Sequence, residues 1–184
     1  MRIAFDLDNT LIRCGHDFPL EQPQRRLWAK LLRHEPLRQG IKELTDYCRQ
    51  RGWQVWVYTT SYRSAWRIRQ LFWLHGIRLD GVVNQQRHDR EVRARSTKHP
   101  PSFGIDLLID DSEGVRIEGE RHGFRVLVVV PADEEWAEKV KAALDSSNLA
   151  SHPSIFCFLA ANHSFRTNGL CGVLITTTMK SGHQ

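Results

Sequence analysis

Arg2-Ile3-Ala4-Phe5-Asp6-Leu7-Asp8-Asn9-Thr10-Leu11, residues 2–11, starts as an apolar, β-prone run and breaks abruptly into carboxylates. Ile3, Ala4 and Phe5 have side chains that fit a buried pleated surface, so Arg2 to Leu7 is read as a short strand with Asp6 and Asp8 at its exit. Acidic turns are common as helix caps and solvated loops. The weight of this pair therefore depends on what stands at the other strand exits.

Working outward, residues 13–24 hold Gly15, Pro19 and Pro23 and read as loop or small hairpin, followed by a helix from Gln24 to Arg33 with Leu27, Trp28, Leu31 and Leu32 at helical spacing. A second helix is predicted from Gly40 to Arg51, with Ile41, Leu44 and Cys48 on one face. Gly52 stops it, and Trp53 to Tyr58 is the next strand. Thr59-Thr60-Ser61 is then expected to cap a helix carrying Ala65, Ile68, Phe72 and His75. Further strands are expected at Gly81–Asn84, Ile105–Ile109 and Arg125–Val130, with a last helix from Pro131-Ala132-Asp133 to about residue 145. Strands alternating with helices imply parallel crossovers, hence a doubly wound, Rossmann-like α/β fold with a mainly parallel five-stranded sheet. In such sheets ligands sit beyond the carboxyl ends of the strands, where strand order reverses. Asp6 and Asp8, Thr59 and Thr60, and Asp110 and Asp111 all fall at such exits.

Taken in order, these exits resemble the haloacid-dehalogenase-like (HAD) hydrolase superfamily. Phe5 to Leu11 carries its Asp-x-Asp-x-Thr signature. Thr59 follows the apolar strand Val55-Trp56-Val57-Tyr58, as in the second motif. Lys98 in Ser96-Thr97-Lys98-His99-Pro100 matches the basic third motif, and Leu107-Leu108-Ile109-Asp110-Asp111-Ser112 the acidic fourth. The resemblance covers about residues 2–130. It implies a Mg²⁺-dependent phosphohydrolase, a phosphomonoesterase with Asp6 as covalent nucleophile and Asp8 as acid and base. Thr59 and Lys98 would bind the phosphate. Asp6, the Asp8 carbonyl and Asp110 would hold the metal, with Asp111 acting through water or orienting Lys98.

The chemistry supports those roles on its own terms. A phosphate monoester is a dianion, so a carboxylate can approach it only where cations gather both groups, and Mg²⁺ favours oxygen ligands. Carboxylate attack forms an aspartyl-phosphate and divides one difficult displacement into two. An acid two residues on can protonate the leaving oxygen and later take a proton from water. The same residues would serve phosphotransfer to another acceptor, and a non-catalytic phosphate- or protein-binding module could use the same fold.

Thr10 to Trp53 and Thr60 to Lys98 leave little room for a lid domain, which suggests a capless or minimally capped enzyme. An open site suits a large phosphorylated substrate, such as a phosphoprotein or a nucleic-acid end. The domain is expected over residues 1–146, with residues 147–184 a tail or edge element. The tail carries apolar islands at Phe156–Leu159 and Val173–Ile175.

Composition adds bounds. With 41% apolar and 26% charged residues in 184, the chain suits one globular domain rather than a disordered or fibrous protein. A net charge of +5 would attract anions. The basic run Arg87, Arg90, Arg93, Arg95 and Lys98 is read as solvated surface rather than a nucleic-acid groove, since no recognised reading module accompanies it. Trp53, Trp56, Trp66 and Trp73 are expected in the core, and the histidines form no metal-binding spacing. Cys14, Cys48, Cys157 and Cys171 are scattered, as free thiols in a reducing compartment would be. No stretch is long and apolar enough for a membrane span, and the acidic N-terminal run does not suit a signal peptide. Both point to a cytoplasmic protein.

Overall fold

The computed structural model describes residues 1–32 and 34–148. Five strands, β1 (Arg2–Phe5), β2 (Gln54–Tyr58), β3 (Gly81–Val83), β4 (Leu107–Asp110) and β5 (Val126–Val128), form one sheet in the order β3-β2-β1-β4-β5. Every neighbouring pair is parallel. The helices are α1 (Arg26–Leu31), α2 (Ile41–Gln50), α3 (Ala65–Leu74), α4 (Gln85–Glu91), α5 (Glu113–His122) and α6 (Trp136–Asn148), with a 3-10 turn at Pro100–Phe103. The chain starts at the centre, builds outward through β2 and β3, then crosses back to β4 beside β1. Strand order thus reverses between β1 and β4, the place where this class of sheet opens a crevice.

Strand alternation divides the core. Ile3, Phe5, Leu107, Ile109 and Leu127 point into a large apolar cluster closed by Ile41, Leu44 and Cys48 of α2, Ile68 and Phe72 of α3, and Trp136, Val140 and Leu144 of α6. Ala4, Leu108 and Val126 point the other way, onto Phe103, Ile105, Val115 and Phe124. The period of two that sorts residues 3, 4 and 5 between faces explains why the strand reads as nearly all apolar: both faces are covered. No helix among the described residues is long and apolar enough to cross a membrane.

Several expectations need correction. Thr59-Thr60-Ser61 does not cap α3; the cap is Ser64, whose hydroxyl accepts from Arg67 N at 3.2 Å. Residues 59–63 instead turn on their own side chains, with Ser61 N donating to Thr59 Oγ1 at 3.0 Å and Arg63 N to Ser61 Oγ at 3.2 Å. Such local bonds compete with helix and delay its start. The last helix begins at Trp136 rather than near Pro131, because Asp133 is spent on a turn, accepting from Glu135 N at 3.0 Å. The basic run is partly helical: α4 is capped by Asn84, and Arg87 pairs with Glu91 at 3.0 Å. Helix α5, capped by Ser112, was not foreseen either.

The tryptophans divide. Trp53 is buried, whereas Trp66 and Trp73 are 69% and 43% exposed, because α3 buries Ile68, Leu71, Phe72 and Leu74 on its opposite side. Cys14 is exposed and Cys48 buried, both as free thiols. Helix α6 carries the described chain past residue 146 to Asn148, and the tail islands, Cys157 and Cys171 lie outside the described residues.

Candidate active site

The carboxyl ends of β1 and β4 bring the acids together. Asp6 N donates to Ile109 O at 2.8 Å, so the β1–β4 ladder continues one residue past β1 and sets Asp6 beside Asp110. Asp110 is the last residue of β4, and its Oδ1 accepts from Ser112 N at 2.9 Å, just before α5 begins. Asp6, Asp110 and Asp111 each offer an oxygen within 4.8 Å of the others'. Beyond Asp8 the chain folds back tightly: Leu11 N and Ile12 N both donate to Leu7 O, and Asn9 takes a positive φ of 61°. Asparagine tolerates that conformation better than most residues. The turn aims Thr10 inward, where its hydroxyl donates to Asp111 Oδ1 at 2.8 Å and lies 3.5 Å from Asp6 Oδ2.

Lys98 reaches this cluster from a distant part of the chain. Its ammonium donates to Asp6 at 2.5 Å and to Asp110 at 2.6 Å, and only 3% of it is exposed. Burial alone would drive its proton off, but the two carboxylates outweigh burial and raise its pKa above the usual value. Asp6 shows the converse. Burial, with Asp110 adding repulsion, lifts it to about 7 against the opposing pull of Lys98. Three carboxylates facing one ammonium leave the cluster under-neutralised, and its donors are all hard oxygens. Both features suit a divalent cation of the Mg²⁺ type.

The segment bearing Lys98 is aimed by residues that sequence reasoning did not single out. Glu118 on α5 accepts from Thr97 N at 2.9 Å and from Thr97 Oγ1 at 2.8 Å. Burial pushes the Glu118 carboxyl up, but these donors prevail and hold it below its usual range. Tyr58 OH accepts from His99 N at 2.8 Å and bonds His88 Nδ1 at 2.5 Å. No local sequence signal marks Glu118, since its partner lies 21 residues away.

Thr59 is buried at the exit of β2, with its backbone N–H on Val83 O at 2.9 Å and its hydroxyl accepting from Ser61 N. Asp8 sits apart from the three clustered acids. Its carboxylate accepts from Arg63 Nη1 at 2.8 Å and from Cys14 Sγ at 3.1 Å. Arg63 also holds Ser61 Oγ at 2.9 Å and Glu35 at 3.0 Å. Arg63 was missed by sequence reasoning. It was read as part of the helix expected after Thr59-Thr60-Ser61, whereas it precedes the true cap, Ser64.

Deep under the loop, Arg38 joins the two halves of the site's framework. Its guanidinium donates to Val130 O at 2.9 Å, Pro131 O at 3.0 Å and Asp133 O at 2.7 Å, with Thr10 O at 3.4 Å. Its planar head lies against Phe18 and Trp136, and burial lowers its pKa to about 10.

The sequence matches no protein-family model and no curated protein. Among solved structures, a HAD-superfamily hydrolase, subfamily IA, variant 1, from Geobacter sulfurreducens is 16% identical with a TM-score of 0.49, covering 78% of this chain and 95% of that one. A predicted phosphatase from Clostridium acetobutylicum is 13% identical with a TM-score of 0.45, over 80% of this chain and 97% of that one. A chain of a Pnkp1/Rnl/Hen1 complex is 15% identical with a TM-score of 0.49, and the match spans 72% of this chain but 46% of that one.

Proposed function

We propose that the chain is a HAD-like phosphohydrolase that releases phosphate from monoesters through an aspartyl-phosphate at Asp6. The observation that carries this reading is the convergence of Asp6, Lys98, Asp110 and Asp111 at the point where strand order reverses. A carboxylate buried beside an ammonium that also bonds Asp110 is a poor surface ion pair and a well-placed nucleophile with a phosphate-binding cation next to it.

Asp6 attacks phosphorus while Asp8 gives a proton to the departing ester oxygen. Asp8 then removes a proton from the water that attacks phosphorus, and phosphate leaves with Asp6 regenerated. Lys98 and the Thr59 hydroxyl bind phosphoryl oxygens and stabilise the charge that spreads over them. Arg63 positions the Asp8 carboxyl through its 2.8 Å contact. Asp6, Asp110 and the Asp8 backbone carbonyl would hold Mg²⁺, with Asp111 through water, and the bound ion would supply charge neutralisation for the carboxylates and the incoming phosphate. The exposed free thiol of Cys14 is at home in a reducing compartment, which supports a cytoplasmic setting. Between residues 11 and 53 and between 60 and 98 the described residues form only helices α1 to α4, strand β3 and loops, which supports a site open to a large substrate.

The test is phosphate release from a small aryl phosphate and from a panel of phosphorylated compounds. Turnover that requires Mg²⁺ and stops in chelator is expected. Binding of phosphate without turnover of any ester would contradict the reading in favour of a non-catalytic module.

A further inference from the structure

Away from the carboxylates, α1 and α3 border an open groove of about 1000 Å³ whose walls include Trp28, Trp66 and Trp73 with Arg25, Arg69 and Arg78. Large indole faces left in solvent are unusual, and here three stand together: Trp28, Trp66 and Trp73 are 53%, 69% and 43% exposed. Trp28 meets Trp73 edge-on, with ring centroids 6.4 Å apart. Trp66 and Trp73 are two helical turns apart on one face of α3, a separation of roughly 10 Å. A stacked single strand places a phosphate about every 3.4 Å, so that distance spans about three nucleotides.

The charge in the groove is one-sided. Arg25 lies on the Trp73 ring at 4.3 Å and donates to Trp73 O at 2.5 Å, and Arg69 donates to Leu79 O at 2.6 Å. Among the described residues neither they nor Arg78 form an ion pair with a carboxylate. The groove's one acid, Asp80, is already bound by Arg49 at 2.6 Å. Guanidinium groups alternating with open aromatic faces complement a polymer that carries both phosphates and flat rings. Trp66 lies in the first turn of α3, three residues after Arg63, the residue that holds Asp8.

We propose that this groove binds single-stranded nucleic acid, stacking bases on Trp66, Trp73 and Trp28 while Arg25, Arg69 and Arg78 meet its phosphates. The strand then runs along α3 towards the candidate site and presents a terminal phosphate there. The last step rests on the phosphohydrolase reading above, whereas binding in the groove does not.

The full-length protein is titrated with a fluorescent oligothymidylate, with and without a terminal phosphate, by anisotropy across a salt series. Both oligonucleotides are expected to bind, with the logarithm of affinity falling linearly with the logarithm of salt. Trp66→Ala should weaken binding about tenfold. Arg78→Glu should weaken it further and reduce the salt slope by about 1. Both variants should turn over a small aryl phosphate at the parent rate. Absence of aryl phosphate turnover with groove binding intact would sink the phosphohydrolase reading and leave the groove assignment standing. The groove assignment is overturned if the oligonucleotides bind the parent no better than they bind both variants. It is equally overturned if Trp66→Ala leaves oligonucleotide binding unchanged but abolishes self-association, or abolishes binding of an acidic peptide instead.

Discussion

At the residue scale, the nucleophile and the proton carrier differ in surroundings although only Leu7 separates them. Asp6 is buried among like charges and one ammonium; Asp8 is partly exposed and held by Arg63 and Cys14. That division is what the proposed roles, attack by Asp6 and proton transfer by Asp8, would use. Asp8→Asn should therefore lower kcat sharply for esters with poor leaving groups, by about 10²–10⁴-fold, and much less for nitrophenyl phosphate. Rates across a series of aryl phosphates of graded leaving-group acidity check this, and a uniform loss across the series would remove Asp8 from the proton-transfer role. The positions of Asp6, Lys98, Asp110 and Asp111, which the fold brings together, were legible in the sequence because each sits beside an apolar strand or in an ordered series. Arg63 and Glu118 were not legible, because what defines them is a contact with a distant residue.

At the scale of elements, the site depends on loops being tied to one another. Arg38 links the loop after β1 to the connection between β5 and α6 by donating to three carbonyls beyond β5. Arg38→Ala would leave those part-buried acceptors without the guanidinium and remove the face against which Phe18 and Trp136 pack. A loss of about 3 kcal/mol is expected, measurable by urea unfolding. A shift within a few tenths of a kcal/mol would show that the guanidinium is dispensable.

His75 gives a second prediction, at the carboxyl end of α3. It is fully buried, neither ring nitrogen has a hydrogen-bond partner, and burial beside His34 lowers its pKa to about 4. In the unfolded chain the ring takes a proton at the ordinary value of about 6.5, so below that pH the unfolded state holds more protons than the folded one. The contribution of His75 to stability is then lost as pH falls from about 6.5 towards about 4, by roughly 2 kcal/mol between about pH 7 and pH 4.5. His75→Leu should unfold with a correspondingly shallower acid dependence, and equal slopes for variant and parent would show that His75 is solvated or paired. Element boundaries were the least legible part of the sequence. Ser61 and Asp133 both look like helix starts, yet each closes a local turn and the helices begin later, at Ala65 after the Ser64 cap and at Trp136.

At the scale of the whole molecule, the strand order places three exits side by side at the carboxyl edge; alternation of strands with helices made the parallel sheet legible, but not the order of its strands. The exposure of Trp66 and Trp73 was misread by counting indoles as core, although the spacing of Ile68, Phe72 and His75 marks the buried face of α3 and leaves both tryptophans off it. The acidic edge should also connect metal binding to stability. If Asp6, Asp110 and Asp111 are relieved by a divalent ion, Mg²⁺ at a hundredfold its dissociation constant stabilises the fold by about 2.7 kcal/mol, seen as a higher Tm. An Asp110→Asn protein should lose most of that response. An unchanged Tm with and without Mg²⁺ would argue that no ion binds there.

The central claim is that Asp6 becomes phosphorylated during turnover. Its most direct measurement is borohydride trapping: the protein is mixed with substrate and Mg²⁺, quenched during turnover and reduced, which converts an aspartyl-phosphate to homoserine, and is then mapped by peptide mass spectrometry. Homoserine at position 6, dependent on substrate and absent from Asp6→Asn, is the predicted result. Homoserine at another aspartate, or steady turnover by Asp6→Asn at the parent rate, would contradict the account.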